Sequence, residues 1–263
     1  MAFALGPRAA QAGYDLAGYD SIGSTNSEAL ARLRAGERGP CWIAARAQTA
    51  GRGRRGRTWS TAEGNLAATL LTVVKGALPV VATLGFVAGL TMRRALADCT
   101  QGLKISLKWP NDVLIDGGKV GGILLESEVL NDGIGIAVGF GVNVVSAPSE
   151  TPFPATSLDA RGQSVGAEHL FAALSDAWVG YFARWDEGRG LEIIRQDWLA
   201  CAEGVGRAVS IQTGEGTLTG VFQTLDERGR LILRTESGEL VPITAGDVYF
   251  GPVATARPKL GAH

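Results

Sequence analysis

Between residues 105 and 145 the chain repeats one pattern: a short apolar run, a turn signal, then another apolar run. The runs are ISLKW, VLI, KVGGILLESEV and GIGIAVGFGVNVV, and Asp116-Gly117-Gly118 and Asn131-Asp132-Gly133 separate the later ones. Asp-Gly pairs between apolar runs make hairpin turns, and strands joined by tight turns pair antiparallel. This stretch commits the chain to a sheet in which successive strands are neighbours. CWIAARA and NLAATLLTVV supply two earlier strands. Helical spacing occurs at residues 83–98, 167–185 and 191–201, enough to cover one face of that sheet. Nearer the start, Thr25-Asn26-Ser27-Glu28 has the capping-box pattern before ALARLRA, and Gly36 stops that helix. The predicted class is α+β, with a mostly antiparallel central sheet and helices.

From Glu203 onward the pattern shortens. AVSIQT, TLTGVFQTL, RLILRT and ELVPI are separated by GEG, DERG and ESG, which suits a small β-barrel. The expected division is residues 1–202 and 203–263, the second part ending in a disordered tail, ATARPKLGAH. With 263 residues, 46% of them hydrophobic, the chain can fill a large core and a small one. Residues 76–92 are uncharged, but Pro79, Gly85 and Gly89 interrupt a stretch already short for a membrane span. A buried core helix running on through Arg93 and Arg94 is the expectation. Cys41, Cys99 and Cys201 lie far apart with no C-x-x-C pair, which argues against a disulfide framework and a zinc knuckle. Together with a start that has no secretory pattern, this places the chain in the cytoplasm. His169 and His263 have no partners suited to nucleophilic or metal chemistry, and the metal ligands stay unknown.

The charge is concentrated in one place. Residues 51–60 read GRGRRGRTWS, and removing the four arginines from the formal total of −1 leaves the rest of the chain at −5. A general affinity for polyanions is therefore excluded. Gly51-x-Gly53-x-x-Gly56 formally matches the dinucleotide fingerprint, but TWSTAEGN follows where a helix should start. A P-loop fails as well, because Val113 stands at its first glycine and Val120 where Ser or Thr would bind magnesium. What remains is a glycine-articulated loop of guanidinium groups, each able to grip phosphate or carboxylate oxygens in bidentate fashion. Two or three charge-assisted hydrogen bonds at about 1.5–3 kcal/mol each only partly offset the ordering of some ten residues, so the free loop is expected to be mobile. A solvated basic turn or an RNA contact is the competing reading of the loop alone.

Further motifs follow in a fixed order: Ser24-Thr25-Asn26, Gln48-Thr49, GRGRRGR with Trp59, Lys108-Trp109-Pro110-Asn111-Asp112, KVGGIL from Lys119, and Gly139-Phe140-Gly141-Val142-Asn143. Together they resemble the biotin protein ligases, motif by motif from about residue 21 to 145, and the last segment fits that family's SH3-like barrel. The loop separates the chain from lipoate ligases, which share the fold without GRGRxGR. Ala62 departs from the proline the family often has there, and Phe140 and Val142 from its smaller or isoleucine choices. The resemblance implies a class II synthetase-like catalytic fold and an ATP-dependent activity. Biotin and ATP, with magnesium held mainly by the phosphates, give biotinyl-5′-AMP, and the biotin then passes to a lysine of the biotin carboxyl carrier protein of acetyl-CoA carboxylase or a related carboxylase.

The residue types suit that chemistry. A carboxylate approaching a phosphate needs cations between the two. By resemblance, Arg52, Arg54, Arg55 and Arg57 contact phosphate and adenylate, with Arg54 at the reacting centre and Lys119 on the biotin carboxylate. Ser24, Thr25 and Gln48 offer the mixed donors and acceptors that a ureido ring requires. Asn26, Gly51, Arg52, Trp59, Gly121 and Gly122 complete the expected biotin contacts, the last two as backbone close to the ligand. Trp59, Lys108, Asn111, Asp112 and Asn143 are expected around the nucleotide. Asp112 is also the candidate to orient the carrier's ammonium and accept its proton, since a free lysine with a pKa of ~10.4 is rarely neutral at pH 7.

About twenty residues precede Ser21, too few for a winged helix, so the expectation is a ligase without direct DNA binding and without membrane contact. One sequence leaves open whether two copies form a homodimer. The alternatives are a ligase for lipoate or another acyl acid, and a non-enzymatic RNA-binding protein that uses the arginine loop.

Overall fold

The structure, a computed structural model, describes residues 2–151, 153–214 and 216–250. The expected tail and His263 lie outside these. In chain order the elements are α1 (Pro7–Gln11), β1 (Asp15–Ile22), α2 (Thr25–Arg34), β2 (Cys41–Gln48), β3 (Leu66–Val74), α3 (Leu78–Ala82), α4 (Leu84–Cys99), β4 (Ile105–Lys108), β5 (Asp112–Ile115), β6 (Gly118–Leu130), β7 (Gly133–Val142), α5 (Ala167–Trp185) and α6 (Leu191–Ala200). The last part of the chain supplies β8 (Ala208–Gln212), β9 (Thr217–Leu225), β10 (Leu231–Arg234), β11 (Leu240–Ile243) and β12 (Asp247–Phe250).

Seven strands form one sheet in the order β1-β2-β3-β7-β6-β5-β4. The turns read from the sequence are there: β5 and β6 are joined at Asp116 and Gly117, whose φ values of 47° and 81° are those a tight Asp-Gly hairpin demands. All pairs are antiparallel except β1 with β2, which run parallel through the crossover helix α2. Strand β1 was not expected. Its sequence, DLAGYDSI, is half exposed at the sheet edge and has no apolar run to reveal it.

Successive side chains of the sheet face opposite ways. Ile43, Leu71 and Ala137 pack with Ala29 and Leu33 of α2. Their neighbours Trp42, Leu70 and Val138 join the larger core beneath α4, α5 and α6. The long helix α4 is mostly enclosed there, as the reading of residues 76–92 anticipated, with Leu84, Val87, Ala88, Leu90 and Met92 all buried. Phe140 points into this core, its ring 5.6 Å from Trp42 and 6.2 Å from Trp178. The larger residue in Gly-Phe-Gly thus faces away from the α2 side. The capping box is shifted by one residue: Ser24 is the N-cap and accepts the Ser27 N–H, while Thr25 begins the helix. Glu28 instead accepts the Arg32 guanidinium one turn on, at 2.8 Å.

The last five strands form an antiparallel sheet, β11-β10-β9-β8-β12. Four were expected, and the fifth, β12, is only four residues long. Val209, Ile211, Phe222, Leu233 and Val248 share one continuous core with the larger sheet. Backbone bonds tie the segment after α6 to β4: Leu107 N–H donates to the Cys201 carbonyl at 2.9 Å, and Glu203 N–H to the Leu107 carbonyl at 2.8 Å. The Trp109 indole N–H reaches the Gly229 carbonyl at 3.1 Å. The second sheet is thereby held against the end of the first.

Candidate active site

Strand register sets the floor of a cavity on the α2 side of the large sheet. Lys108 pairs with Asp112, Asp112 with Gly122, Gly122 with Gly141, and Gly141 with Ala67. One row across five strands therefore presents a lysine and a carboxylate followed by three positions with almost no side chain. In the adjacent row, Leu124, Gly139 and Thr69 lie side by side. A flat apolar body can rest on such a floor.

At one end the floor is edged by uncharged polar groups. Gln48 Oε1 accepts the Thr25 N–H at 2.9 Å and the Thr25 hydroxyl at 3.2 Å, and its amide donates to Thr61 at 3.0 Å. The Thr69 hydroxyl lies 2.8 Å from Thr25 Oγ1 and 2.7 Å from Asn26 Oδ1. Asn26 donates to the Leu124 carbonyl and to Glu126, at 3.1 and 2.9 Å. A Cβ on Gly139 would fall 2.1 Å from Asn26 Oδ1, so only glycine leaves room for that side chain. Ser24, Thr25 and Asn26 are buried and fixed by the first turn of α2.

The arginine loop is a folded hairpin. Trp59 N–H donates to the Gly51 carbonyl at 2.9 Å, Gly53 N–H to the Arg57 carbonyl at 2.7 Å, and Arg52 bridges Thr58. At its tip Arg55 and Gly56 take positive φ, 56° and 72°. Every arginine has a partner: Arg52 with Glu126 at 2.8 Å, Arg54 with Asn111 at 2.9 Å, and Arg55 and Arg57 both with Asp247 of β12. The mobile loop expected of the free protein is here pinned on both flanks. Trp59 folds back over the floor, where a Cβ on Gly141 would come 2.5 Å from the indole and one on Gly122 would come 3.5 Å from it.

The other end is charged. Lys119 Nζ lies 2.7 Å from Asp112 and 5.5 Å from the Trp59 ring centre. Lys108 is 5% exposed, with its ammonium 3.2 Å above the Phe153 ring. Burial, the largest cause, lowers the Lys108 pKa to about 8. Burial also lowers the Arg54 pKa, followed by the repulsion of Arg55. Five cations, Arg52, Arg54, Arg57, Lys108 and Lys119, thus face two acids, Asp112 and Asp247, around the same cavity. An anion entering it meets an excess of positive charge in a poorly hydrated space.

Ser24, Thr25, Asn26, Gln48, Arg52, Arg54, Arg57, Trp59, Lys108, Asn111, Asp112, Lys119 and Gly122 line this one cavity. Four of the expected residues do not. Gly51 braces the hairpin neck, where a Cβ would strike the Trp59 carbonyl at 2.3 Å. Arg55 sits outside on Asp247. Gly121 faces the opposite way, a Cβ there lying 2.7 Å from Met92 Sδ in the core, so of the two glycines expected as backbone close to the ligand only Gly122 opens on the cavity. Asn143 is buried beneath the floor, donating to the Thr156 carbonyl at 3.1 Å, which is a tie between segments. Conversely, Asp247, Phe153, Thr58, Gly139 and Gly141 line the cavity without having been singled out as contacts. The two glycines were visible in their motif, whereas nothing near Asp247 or Phe153 in the chain announces them.

Among the described residues no group of three or more His, Cys, Asp or Glu stands together to hold a metal. The acids closest to the cavity are already engaged, Asp112 by Lys119, Glu126 by Arg52, and Asp247 by Arg55 and Arg57. The side chains present therefore form no cage for a divalent cation.

Comparison with known proteins adds an independent line. Residues 21–143 match the Biotin/lipoate A/B protein ligase family, and residues 204–251 match the Biotin protein ligase C terminal domain. The chain is 42% identical over 240 residues to the biotin–(acetyl-CoA-carboxylase) ligase of Paracoccus denitrificans, spanning 87% of this chain and 97% of that one. It is 33% identical over 233 residues to the protein of the same name from Mycobacterium tuberculosis, spanning 86% and 85%. The solved biotin protein ligase from Aquifex aeolicus in complex with biotin and ATP superposes with a TM-score of 0.74 at 26% identity, covering 91% of this chain and 99% of that one.

Proposed function

The chain belongs to the biotin/lipoate A/B protein ligase family, and we propose that it is an ATP-dependent biotin–(acetyl-CoA-carboxylase) ligase that performs both of its half-reactions in this cavity. The observation that carries the reading is the polarity of the floor: uncharged donors and acceptors at Thr25 and Gln48, side-chain-free strand at Gly122 and Gly141, and cations at Arg54, Lys108 and Lys119. Biotin has the same polarity, a ureido ring, an apolar body and a carboxylate.

In the first half-reaction the ureido ring sits against Thr25 and Gln48 and the acyl chain crosses the glycines beneath Trp59. Lys119 holds the carboxylate, and Arg54 with Arg57 draws the nucleotide phosphates in. A carboxylate oxygen attacks the α-phosphorus, the bond to the β-phosphate breaks, and pyrophosphate leaves with biotinyl-5′-AMP held behind. Cations fixed before the reaction stabilise the charge that builds on the transferring phosphoryl group. In the second half-reaction the carrier lysine enters beside Asp112, which orients its ammonium, and attacks the acyl carbon so that AMP departs. Trp59 and the hairpin keep water off the anhydride until then. Magnesium would come with the triphosphate and screen its charge, since among the described residues no cluster of His, Cys, Asp or Glu forms a cage for it. The acceptor is the biotin carboxyl carrier protein of acetyl-CoA carboxylase or a close relative. Three free thiols, Cys41, Cys99 and Cys201, support a cytoplasmic setting.

Mass spectrometry of a carrier domain incubated with the protein, ATP and biotin tests the proposal. The expected product carries one biotin on a single lysine, and pyrophosphate is released with biotin but not with lipoate. An unmodified carrier together with no biotin-dependent pyrophosphate would overturn it.

A further inference from the structure

Asp112 has a rival for one of its duties. Its Oδ1 is 2.7 Å from Lys119, so in the resting protein the carboxylate is already compensated. A carboxylate can attract the carrier's ammonium, but it is a far weaker base than an amine. Proton removal calls for a stronger acceptor at the same place.

Lys108 stands there. It is the cross-strand partner of Asp112, on the same face of the sheet, lining the cavity and 95% enclosed by its own exposure of 5%. Among the described residues its ammonium has no ion-pair partner. Asp112 is held by Lys119, and Asp247 by Arg55 and Arg57. What surrounds it instead is the Phe153 ring at 3.2 Å and the Phe250 ring at 5.6 Å. Buried lysines without a carboxylate are rare and costly. The fold keeps this one where the acyl group must react.

We propose that Lys108 is the proton acceptor for the carrier lysine in the transfer step. This rests on the ligase reading given above. The neutral Lys108 amine takes a proton from the carrier ammonium, and the freed lone pair forms the C–N bond at the acyl carbon of biotinyl-5′-AMP. The C–O bond to phosphate breaks, its electron pair leaving with AMP, and the second N–H proton of the new amide nitrogen passes to water. Lys108 returns its own proton to solvent before the next turnover.

The surrounding charges time this change of role. Burial disfavours the ammonium, and Lys119 of β6 and Arg57 of the hairpin oppose it further; Asp112 of β5 and Asp247 of β12 favour it. The balance puts the pKa near 8, a few units below a free lysine. A bound triphosphate adds negative charge and holds Lys108 protonated, as a cation for the first half-reaction. Departure of pyrophosphate removes that charge and releases the base when the carrier needs it.

The test isolates transfer by supplying chemically prepared biotinyl-5′-AMP at saturating concentration and following a single turnover from pH 6.5 to 9.5. In the wild-type protein the rate to a carrier domain rises with pH and levels off above about 8. Lys108→Arg keeps the charge but cannot surrender a proton; its rate falls ~100-fold at pH 8 and climbs without levelling. Hydroxylamine is already uncharged at neutral pH, so its capture of the same bound intermediate should drop less than threefold in Lys108→Arg, which keeps the cation and loses only the base. The proposal is overturned if Lys108→Arg retains the levelling-off and the rate, or if carrier and hydroxylamine reactions fall together, which marks a structural role. A wild-type protein that forms no biotinyl-5′-AMP from biotin and ATP would sink the ligase reading instead.

Discussion

Gly141 lies directly beneath Trp59: a Cβ built on it would come 2.5 Å from the indole ring. The two residues are 82 positions apart, yet together they shape the middle of the cavity, with the tryptophan supplying the roof and the glycine the space for it.

Gly141→Ala and Gly121→Ala should therefore fail in different ways. At Gly141 the conflict is with a side chain on the hairpin, which swings aside, so melting changes little while biotin binding and adenylation weaken by on the order of tenfold or more. At Gly121 the added methyl meets Met92 and the Gly141 carbonyl inside the core, at 2.7 and 2.8 Å. Overpacking of that kind costs roughly 1–3 kcal/mol, a fall of several degrees in Tm. Calorimetry paired with pyrophosphate release distinguishes the two, and equal losses of stability would refute the assignment of opposite faces.

Removing either central cation should stop acyl activation before it touches folding. Arg54→Ala and Lys119→Ala each take away a group aimed at developing phosphoryl charge, worth about 10²–10³ in rate. Biotin-dependent exchange of pyrophosphate into ATP reads this directly. Normal exchange in either variant would remove that residue from the chemistry.

Asp247→Asn releases Arg55 and Arg57 from the second sheet. Both arginines are well exposed, so the ion pairs contribute at most about 1 kcal/mol to stability. The hairpin, however, loses its outer anchor. Trypsin should cut at Arg55 and Arg57 several-fold faster in the ligand-free variant while the rest of the chain resists as before. Unchanged cleavage would mean that Asp247 does not restrain the loop.

Lys108 makes stability depend on alkaline pH. Its folded pKa, about 8, lies below the ~10.4 of an unfolded lysine, so between those values the unfolded chain binds more protons than the folded one. Unfolding free energy then rises with pH across that window, because the cost of the buried charge disappears as it is neutralised. Relative to Lys108→Met, the wild-type protein should gain on the order of 2–3 kcal/mol from pH 8 to 10.5. Urea titrations of both proteins at each pH measure the difference, and a flat difference would show that Lys108 is not titrating near 8.

How much was legible in advance varies with how local the cause is. The hairpin at Asp116 and Gly117 was readable because the turn chemistry is contained in two residues. Helix α5 was readable to the residue, since a 19-residue amphipathic period is a strong signal. Strand β1 was not, because an edge strand bonded on one side to a parallel neighbour needs no apolar run. The cap of α2 fell one residue early, on Ser24, since Ser and Thr are nearly equivalent caps and only the chain direction after Gly23 decides between them.

The order of motifs along the chain was enough to identify the kind of site, because each chemistry-bearing residue type lies within its own short segment: hydroxyls at Ser24-Thr25, guanidinium groups at residues 52–57, a lysine after the Asp116-Gly117 turn. Tertiary structure alone decided which way those residues point. Side chains along a strand alternate, so the pairing of the β6–β7 hairpin with distant β3, together with Met92 packed on one face and Trp59 folded over the other, puts Gly122 under the roof and Gly121 in the core. A local hairpin sets Lys108 beside Asp112, but it is the distant Phe153 and Phe250 rings that enclose its ammonium, and the docking of β12 brings Asp247 to the arginines from nearly two hundred residues away. Local sequence carries no record of such meetings, because their energy is realised only when the separate elements pack.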